Sequence, residues 1–127
     1  MQQIKIVYVT SSNNRSFGAL GERIAENYLK KLGYVILAKN LYCRWGEIDI
    51  VARKFDCTVF IEVKSVHSQS SCSAVDLFNY KKRSHLVRAI SLILHKYRLK
   101  VWRLDLICLT FENRKIWIEH YKNVLAF

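Results

Sequence analysis

Residues 47–64 hold the pattern that most limits what this chain can fold into. Two runs, Glu47 to Ala52 and Thr58 to Lys64, alternate apolar and polar side chains, and the five residues between them (Arg53-Lys54-Phe55-Asp56-Cys57) are mostly polar. Period-two alternation marks strands, and so short a link predicts an antiparallel hairpin. Ile48 and Ile50 of the first strand would face one side, Glu47, Asp49 and Val51 the other. Ile61 and Val63 of the second would face one side, Phe60, Glu62 and Lys64 the other. Asp49 and Glu62, thirteen residues apart, should then lie close to opposite each other.

That spacing has a chemical reading. Two carboxylates on neighbouring strands can hold a hard divalent cation through oxygen. Lys64, two residues past Glu62, points to the same face of its strand. A cation there would lower the pKa of a bound water and offset phosphate charge, while the ammonium orients the attacking group; phosphodiester hydrolysis needs both. The same alternation also fits a sheet with one buried face and one wet face that happens to carry charges.

The charge distribution separates these readings. The chain carries 21 Lys and Arg against 10 Asp and Glu, a formal net charge of +11. A strongly basic domain suits a polyanionic partner, most often nucleic acid. Yet four of the ten acids (Glu47, Asp49, Asp56, Glu62) fall between residues 47 and 62. Carboxylates at the centre of a phosphate-binding surface repel the backbone unless a cation sits among them.

At 127 residues the chain is long enough for one domain with a sizeable core. No apolar run approaches the length of a membrane-spanning helix, and Ile4–Val9 is too short for the apolar region of a signal peptide. The four cysteines (43, 57, 72, 108) lack C-x-x-C spacing, which disfavours zinc and suits reduced thiols in a cytoplasmic protein. Residues 1–16, with polar Ser11–Ser16, read as a flexible lead-in.

Apolar residues at helical spacing predict a helix over Gly18–Leu32, with Gly33 at its C-terminus. Strands are expected at Tyr34–Cys43, Glu47–Ala52, Thr58–Lys64, Val101–Leu109 and Lys115–His120. A polar loop, Ser65–Ser73, precedes a long helix, Val75–Tyr97, with Leu86, Ile90, Ile93, Leu94 and Tyr97 on its buried stripe. The order α-β-β-β-α-β-β predicts an α/β (α+β) mixed sheet with helices packed against it.

Several polar residues carry two readings. Lys81, His85 and Arg88 share one face of the second helix, with Lys82 and Arg83 alongside. With Arg44 they form a candidate phosphate-tracking set, or else a solvated basic face. Glu22 could add a carboxylate to the site, although a glutamate near a helix start is also favoured by the helix dipole. Trp45 could stack on a base or pack at the turn. Asp105 lies in an apolar strand and needs a partner, for which Arg103 is placed as a structural pair.

Together these residues resemble the YraN-like, UPF0102 family of small bacterial proteins, within the PD-(D/E)xK, restriction-endonuclease-like superfamily. The resemblance covers roughly Phe17 to Leu109. It rests on Gly18-x-x-Gly21-Glu22-x-x-Ala25, Gly33-Tyr34, Asn40, Gly46-Glu47-Ile48-Asp49-Ile50, Phe60-Ile61-Glu62-Val63-Lys64, Ala74-Val75, Lys81 and Arg103-Leu104-Asp105. It implies an αβββαβ core. By analogy with archaeal Holliday-junction resolvases, it implies an active site of Glu22, Asp49, Glu62 and Lys64. Asp49, Glu62 and the Val63 carbonyl would ligate Mg²⁺ or Mn²⁺, Lys64 would assist the attacking water, and Glu22 would serve a second metal or water position. Glu47 would play a supporting part. Val66 departs from the family, which carries a basic residue there.

The leading expectation is a cytoplasmic, metal-dependent nuclease acting on structured or branched DNA, or on RNA. The alternative is a non-catalytic nucleic-acid-binding module on the same fold. A third reading has the basic face meet an acidic protein or an anionic membrane. The expected partner is nucleic acid, DNA first, without a membrane. A homodimer would suit a two-fold junction substrate.

Overall fold

The structure is a computed structural model, and it describes residues 2–9, 17–67 and 79–125. Six strands and two helices are described: β1 (Gln2–Val9), α1 (Phe17–Lys31), β2 (Val35–Cys43), β3 (Gly46–Lys54), β4 (Cys57–His67), α2 (Tyr80–Tyr97), β5 (Trp102–Glu112) and β6 (Lys115–Tyr121). They form one mixed sheet in the order β1-β6-β5-β4-β3-β2. Only β4 and β5 run parallel, and the connection between them contains α2. The architecture is the expected α/β mixed sheet with helices against it.

Three boundaries differ from expectation. Residues 2–9, read as part of a lead-in, form β1, an edge strand whose Gln2 pairs with Tyr121 and whose Val9 pairs with Lys115. Their contribution depends on a partner more than a hundred residues away, which local patterning cannot show. Residues 10–16 lie outside the described residues, as do 75–78 of the expected second helix. That helix is capped at Asn79, whose extended backbone (φ −68°, ψ 162°) stops it from continuing upstream. The Asn79 side chain accepts from the Lys82 N–H, satisfying one of the otherwise unpaired N–H groups of the first turn. The strand β4 runs on to His67, taking in the start of the expected loop.

α1 ends as Gly33 predicts. Gly33 has φ +91°, its N–H donates to the Lys30 carbonyl, and the Tyr34 N–H donates to the Leu29 carbonyl. This is the paired closure that a left-handed residue permits at a helix C-terminus. At the other end, a Cβ on Gly21 would collide with Ser65 Oγ of β4. The missing side chain lets α1 lie close on the sheet, and that contact places Glu22.

The sheet is buried on both faces. Under α1, Ala25 and Leu29 pack on Ile50, Ile61, Ile107 and Leu109. Under α2, Leu86 and Ile90 pack on Ile48, Phe60, Leu104 and Leu106. Each fully buried side chain of this size stabilises the fold by about 1.5–3 kcal/mol. Tyr97, expected on the buried stripe of α2, is the last residue of that helix and is 60% exposed. Cys43 and Cys57 are free thiols. Cys108, fully buried in β5, is disulfide-bonded, against the expectation of four reduced cysteines; sequence spacing reveals local pairs but not one assembled by the fold.

Asp105 is fully buried, and its Arg103 partner stands as expected, with Arg103 Nε donating at 3.0 Å. More groups converge than the pattern suggested. The Asn123 N–H donates to Asp105 at 2.9 Å, and His120 Nε2 lies 2.7 Å from its other oxygen. Ionised carboxylates only accept, so His120 donates there. Arg103 also donates to Tyr34 Oη at 2.7 Å. These donors hold the Asp105 carboxyl below its ordinary range despite burial, which pushes the other way.

Candidate active site

The site begins where β3 and β4 part. Their ladder runs from Lys54↔Cys57 to Ile50↔Ile61, one residue short of Asp49 and Glu62. The Val63 N–H donates instead to Asp49 Oδ2 at 2.8 Å. A side chain thus takes the place of a main-chain acceptor, and the hairpin opens around it. Alternation breaks at the same point. Ile50 enters the core under α1, but Ile48 enters the core under α2, so the two do not share a face as expected. On the adjoining strand Asn40, across from Asp49, adopts a left-handed backbone (φ 50°).

This irregularity gathers acids from two elements. Carboxylate oxygens of Glu22 (α1), Glu47 and Asp49 (β3) all lie within 4.8 Å of one another. Asn40 Nδ2 donates to Glu22 at 2.6 Å and to Glu47 at 2.5 Å. The amide bridges two carboxylates that would otherwise repel. Glu47, read from the sequence as a supporting residue, stands in the cluster itself, and Asn40 entered only as a motif position. Asn40 holds both carboxylates through its left-handed backbone, a conformation that Asn tolerates better than most residues and that the sequence does not display.

Glu62 lies beside this cluster on the face toward α2. Its side chain is 8% exposed and pairs with Lys82 Nζ at 2.7 Å. Lys64 is half-buried two residues along, and its charge eases the ionisation of Glu62. Even so, burial raises the Glu62 pKa above its ordinary value against both lysines. Asp49 is pushed up to about 7, first by burial, then by the charge of Glu62, with Glu22 and Glu47 adding and the Val63 N–H opposing. Such a cluster is short of positive charge at neutral pH. An oxygen-only donor set of this kind fits a hard divalent cation.

Two cavities meet at Asp49. A cavity of about 430 Å³ is lined by Glu47, Asp49, Glu62, Lys81, Lys82 and His85. A smaller one of about 180 Å³ is lined by Glu22, Glu26, Lys39, Asn40 and Asp49. Acids therefore form the floor of the larger opening and cations of α2 form its wall. Trp45 also lines it, with the Arg88 guanidinium 4.5 Å and the Arg44 guanidinium 5.3 Å from its ring centre. Trp45 thus packs at the turn, against the α2 core, and holds two of the expected phosphate contacts. Of the expected basic set, Lys81, Lys82 and His85 line this opening, Arg44 and Arg88 reach it through Trp45, and Arg83 is exposed without lining it.

The fold and site define a small α/β protein with an acidic cluster at a broken strand pair. The profile described as "Uncharacterised protein family UPF0102" matches residues 21–109, and the chain belongs to that family. It is 39% identical over 118 residues to a UPF0102 protein of Carboxydothermus hydrogenoformans, covering 91% of this chain and 99% of the relative. A UPF0102 protein of Chloroflexus aurantiacus is 38% identical over 115 residues, with 88% and 92% covered. One from Herpetosiphon aurantiacus is 31% identical over 120 residues, with 90% and 97% covered.

Proposed function

We propose that this chain is a metal-dependent nuclease of the restriction-endonuclease-like type, hydrolysing phosphodiester bonds in DNA of structured or branched form. The observation that carries this reading is the acidic cluster of Glu22, Glu47 and Asp49, with Glu62 adjoining, set against a wall of cations. Asp49 would hold Mg²⁺ or Mn²⁺ with help from Glu22, Glu47 or Glu62. The bound ion would supply charge neutralisation and an acidified water. Lys81, Lys82 and His85 would receive the phosphate. Lys64, on the Glu62 face of β4, would orient the attacking oxygen. Lys82 is tied to Glu62 without a cation and becomes available for phosphate once that carboxylate turns to one.

The test joins binding and turnover. Mn²⁺ binding, followed by the electron paramagnetic resonance of the free ion, should be strong in the wild type and lost in Asp49→Ala. Cleavage of labelled junction or flap DNA should need the metal and should disappear in Lys64→Ala, which retains Mn²⁺. Equal Mn²⁺ binding by wild type and Asp49→Ala would sink the metal assignment.

The Lys82–Glu62 pair favours one other reading. A carboxylate already neutralised from within needs no cation, as in a non-catalytic DNA-binding module. That alternative expects salt-sensitive binding, no cleavage in any metal, and full binding by Lys64→Met.

A further inference from the structure

α2 carries cations where its own physics disfavours them. From residue 77 to residue 104 the chain has eight Lys and Arg and no Asp or Glu. Lys81, Lys82 and Arg83 occupy the first turn, which contains no acid. The positive end of the helix dipole makes cations unfavourable there. Among the described residues, Lys82 of these three is matched by an acid, Glu62.

Basic side chains continue along the helix in register. Lys81, His85, Arg88, His95 and Lys96, with Leu92 among them, follow a spacing that keeps them on one side of a helix, and all six are exposed. Past the last turn, Arg98 and Lys100 join His95 and Lys96 around a cup of about 620 Å³ at the far end. His95 and Lys96 could be explained as partners of the negative helix end. Lys100 lies beyond that end, and the first-turn cations oppose the dipole, so the dipole does not account for the row.

We propose that α2 and the turn after it form a single ridge for duplex DNA, with the cup at its C-terminal end gripping phosphates remote from the carboxylate cavity. This rests on the nuclease reading of that cavity and names its substrate class. Lys81 and Lys96 are separated by fifteen residues, about 22 Å of helix. Each phosphate of one strand advances ~3.4 Å along the duplex axis, so the ridge covers roughly six base pairs of axis. A single strand is a poorer fit, because such sites interleave aromatic platforms with the cations. Here the rings beside the row are already met by cations, Trp45 by two guanidinium groups and Tyr97 by the Lys96 ammonium at 5.4 Å. RNA duplexes are read partly through 2′-hydroxyls, and the row offers no hydroxyl or amide side chain.

The experiment uses the full chain in EDTA with a fluorescent duplex of about 20 bp, long enough to cover the ridge. Matched single-stranded DNA and duplex RNA are measured beside it, across a salt series. Wild type should bind the DNA duplex most tightly. The double variant Lys96→Ala/Lys100→Ala should weaken duplex binding and shallow the log–log salt slope by about 1.8, the share of two phosphates. Lys96→Glu/Lys100→Glu should weaken it further. Both variants should bind Mn²⁺ as wild type does, so a failure at the carboxylates would not pass for a failure of the ridge. Unchanged duplex affinity in both variants would overturn the proposal, and so would preferential binding of single strands or of duplex RNA.

Discussion

Asp49 begins from an ordinary carboxyl value of 3.8 and is pushed up to about 7 by burial and by neighbouring acids. Between those values the folded chain holds a proton at this position that the unfolded chain has released. Stability without metal therefore falls as pH rises through that window, and the penalty is complete above about 7. Asn at this position keeps an oxygen for the Val63 N–H but carries no charge. Asp49→Asn should stabilise the metal-free protein at pH 8 by roughly 1–2 kcal/mol, a few degrees of Tm, with the gain fading as pH falls below about 7 and gone by about pH 4. It should also abolish Mn²⁺ binding. Thermal melts in EDTA at the two pH values check the first effect. A Tm below wild type at pH 8 would show that the Asp49 charge is not the strained element of the apo site. In wild type, metal must displace the Asp49 proton below about pH 7. Affinity should then fall about tenfold per pH unit there, with proton release visible as a buffer-dependent heat of binding.

At the scale of elements, the position of α1 is decided at Gly21. Alanine is a better helix former than glycine by roughly 1 kcal/mol, so Gly21→Ala should help an isolated helix. In the fold its Cβ meets Ser65 Oγ and comes within 3.2 Å of Leu109 Cδ1. We expect a net loss of about 1–3 kcal/mol, as for other overpacked contacts, together with weaker Mn²⁺ binding as Glu22 is lifted from the cluster. Ser65→Gly should restore part of both; no recovery in the double variant would place the defect elsewhere. Element by element, the sequence is most legible where physics is local. The hairpin of β3 and β4 shows in its alternation, and the end of α1 shows in Gly33. What was not legible depends on contacts across the fold. β1 needs β6 as its partner. The opposite burial of Ile48 and Ile50 needs the ladder to break. The entry of Glu47 into the cluster needs Asn40 in a left-handed backbone. Asp49, Glu62 and Lys64 could be picked out by spacing, but the tie of Glu62 to Lys82 required α2 to be set over β4.

Over the whole molecule, two buried carboxylate centres pull stability in opposite directions with pH. The Asp105 network binds β5 to β6, to α1 through Tyr28, whose Oη lies 3.0 Å from His120 Nδ1, and to Tyr34 ahead of β2 through Arg103. Its donors hold Asp105 below the ordinary value of 3.8. That stability is present above pH 3.8 and is lost as pH falls through the lowered folded value. Removing the carboxylate by Asp105→Ala leaves Arg103 and His120 without their acceptor and should cost about 3–5 kcal/mol at neutral pH. The Asp49 and Glu62 pair acts the other way, since both folded values are raised and both disfavour the fold once ionised. Without metal, then, stability should peak at mildly acidic pH, falling below 3.8 through Asp105 and falling toward 7 through the carboxylate cluster. A divalent cation relieves only the second effect. Adding Mn²⁺ should raise Tm on the alkaline side and leave the acid side in place, while Asp49→Asn should flatten the alkaline side without metal. Tm measured across pH in EDTA and in Mn²⁺ reads both limbs in one experiment. A metal-free maximum near pH 8 would mean that the clustered acids are not held against their own charge, and the argument for a cation among them would lose its electrostatic basis.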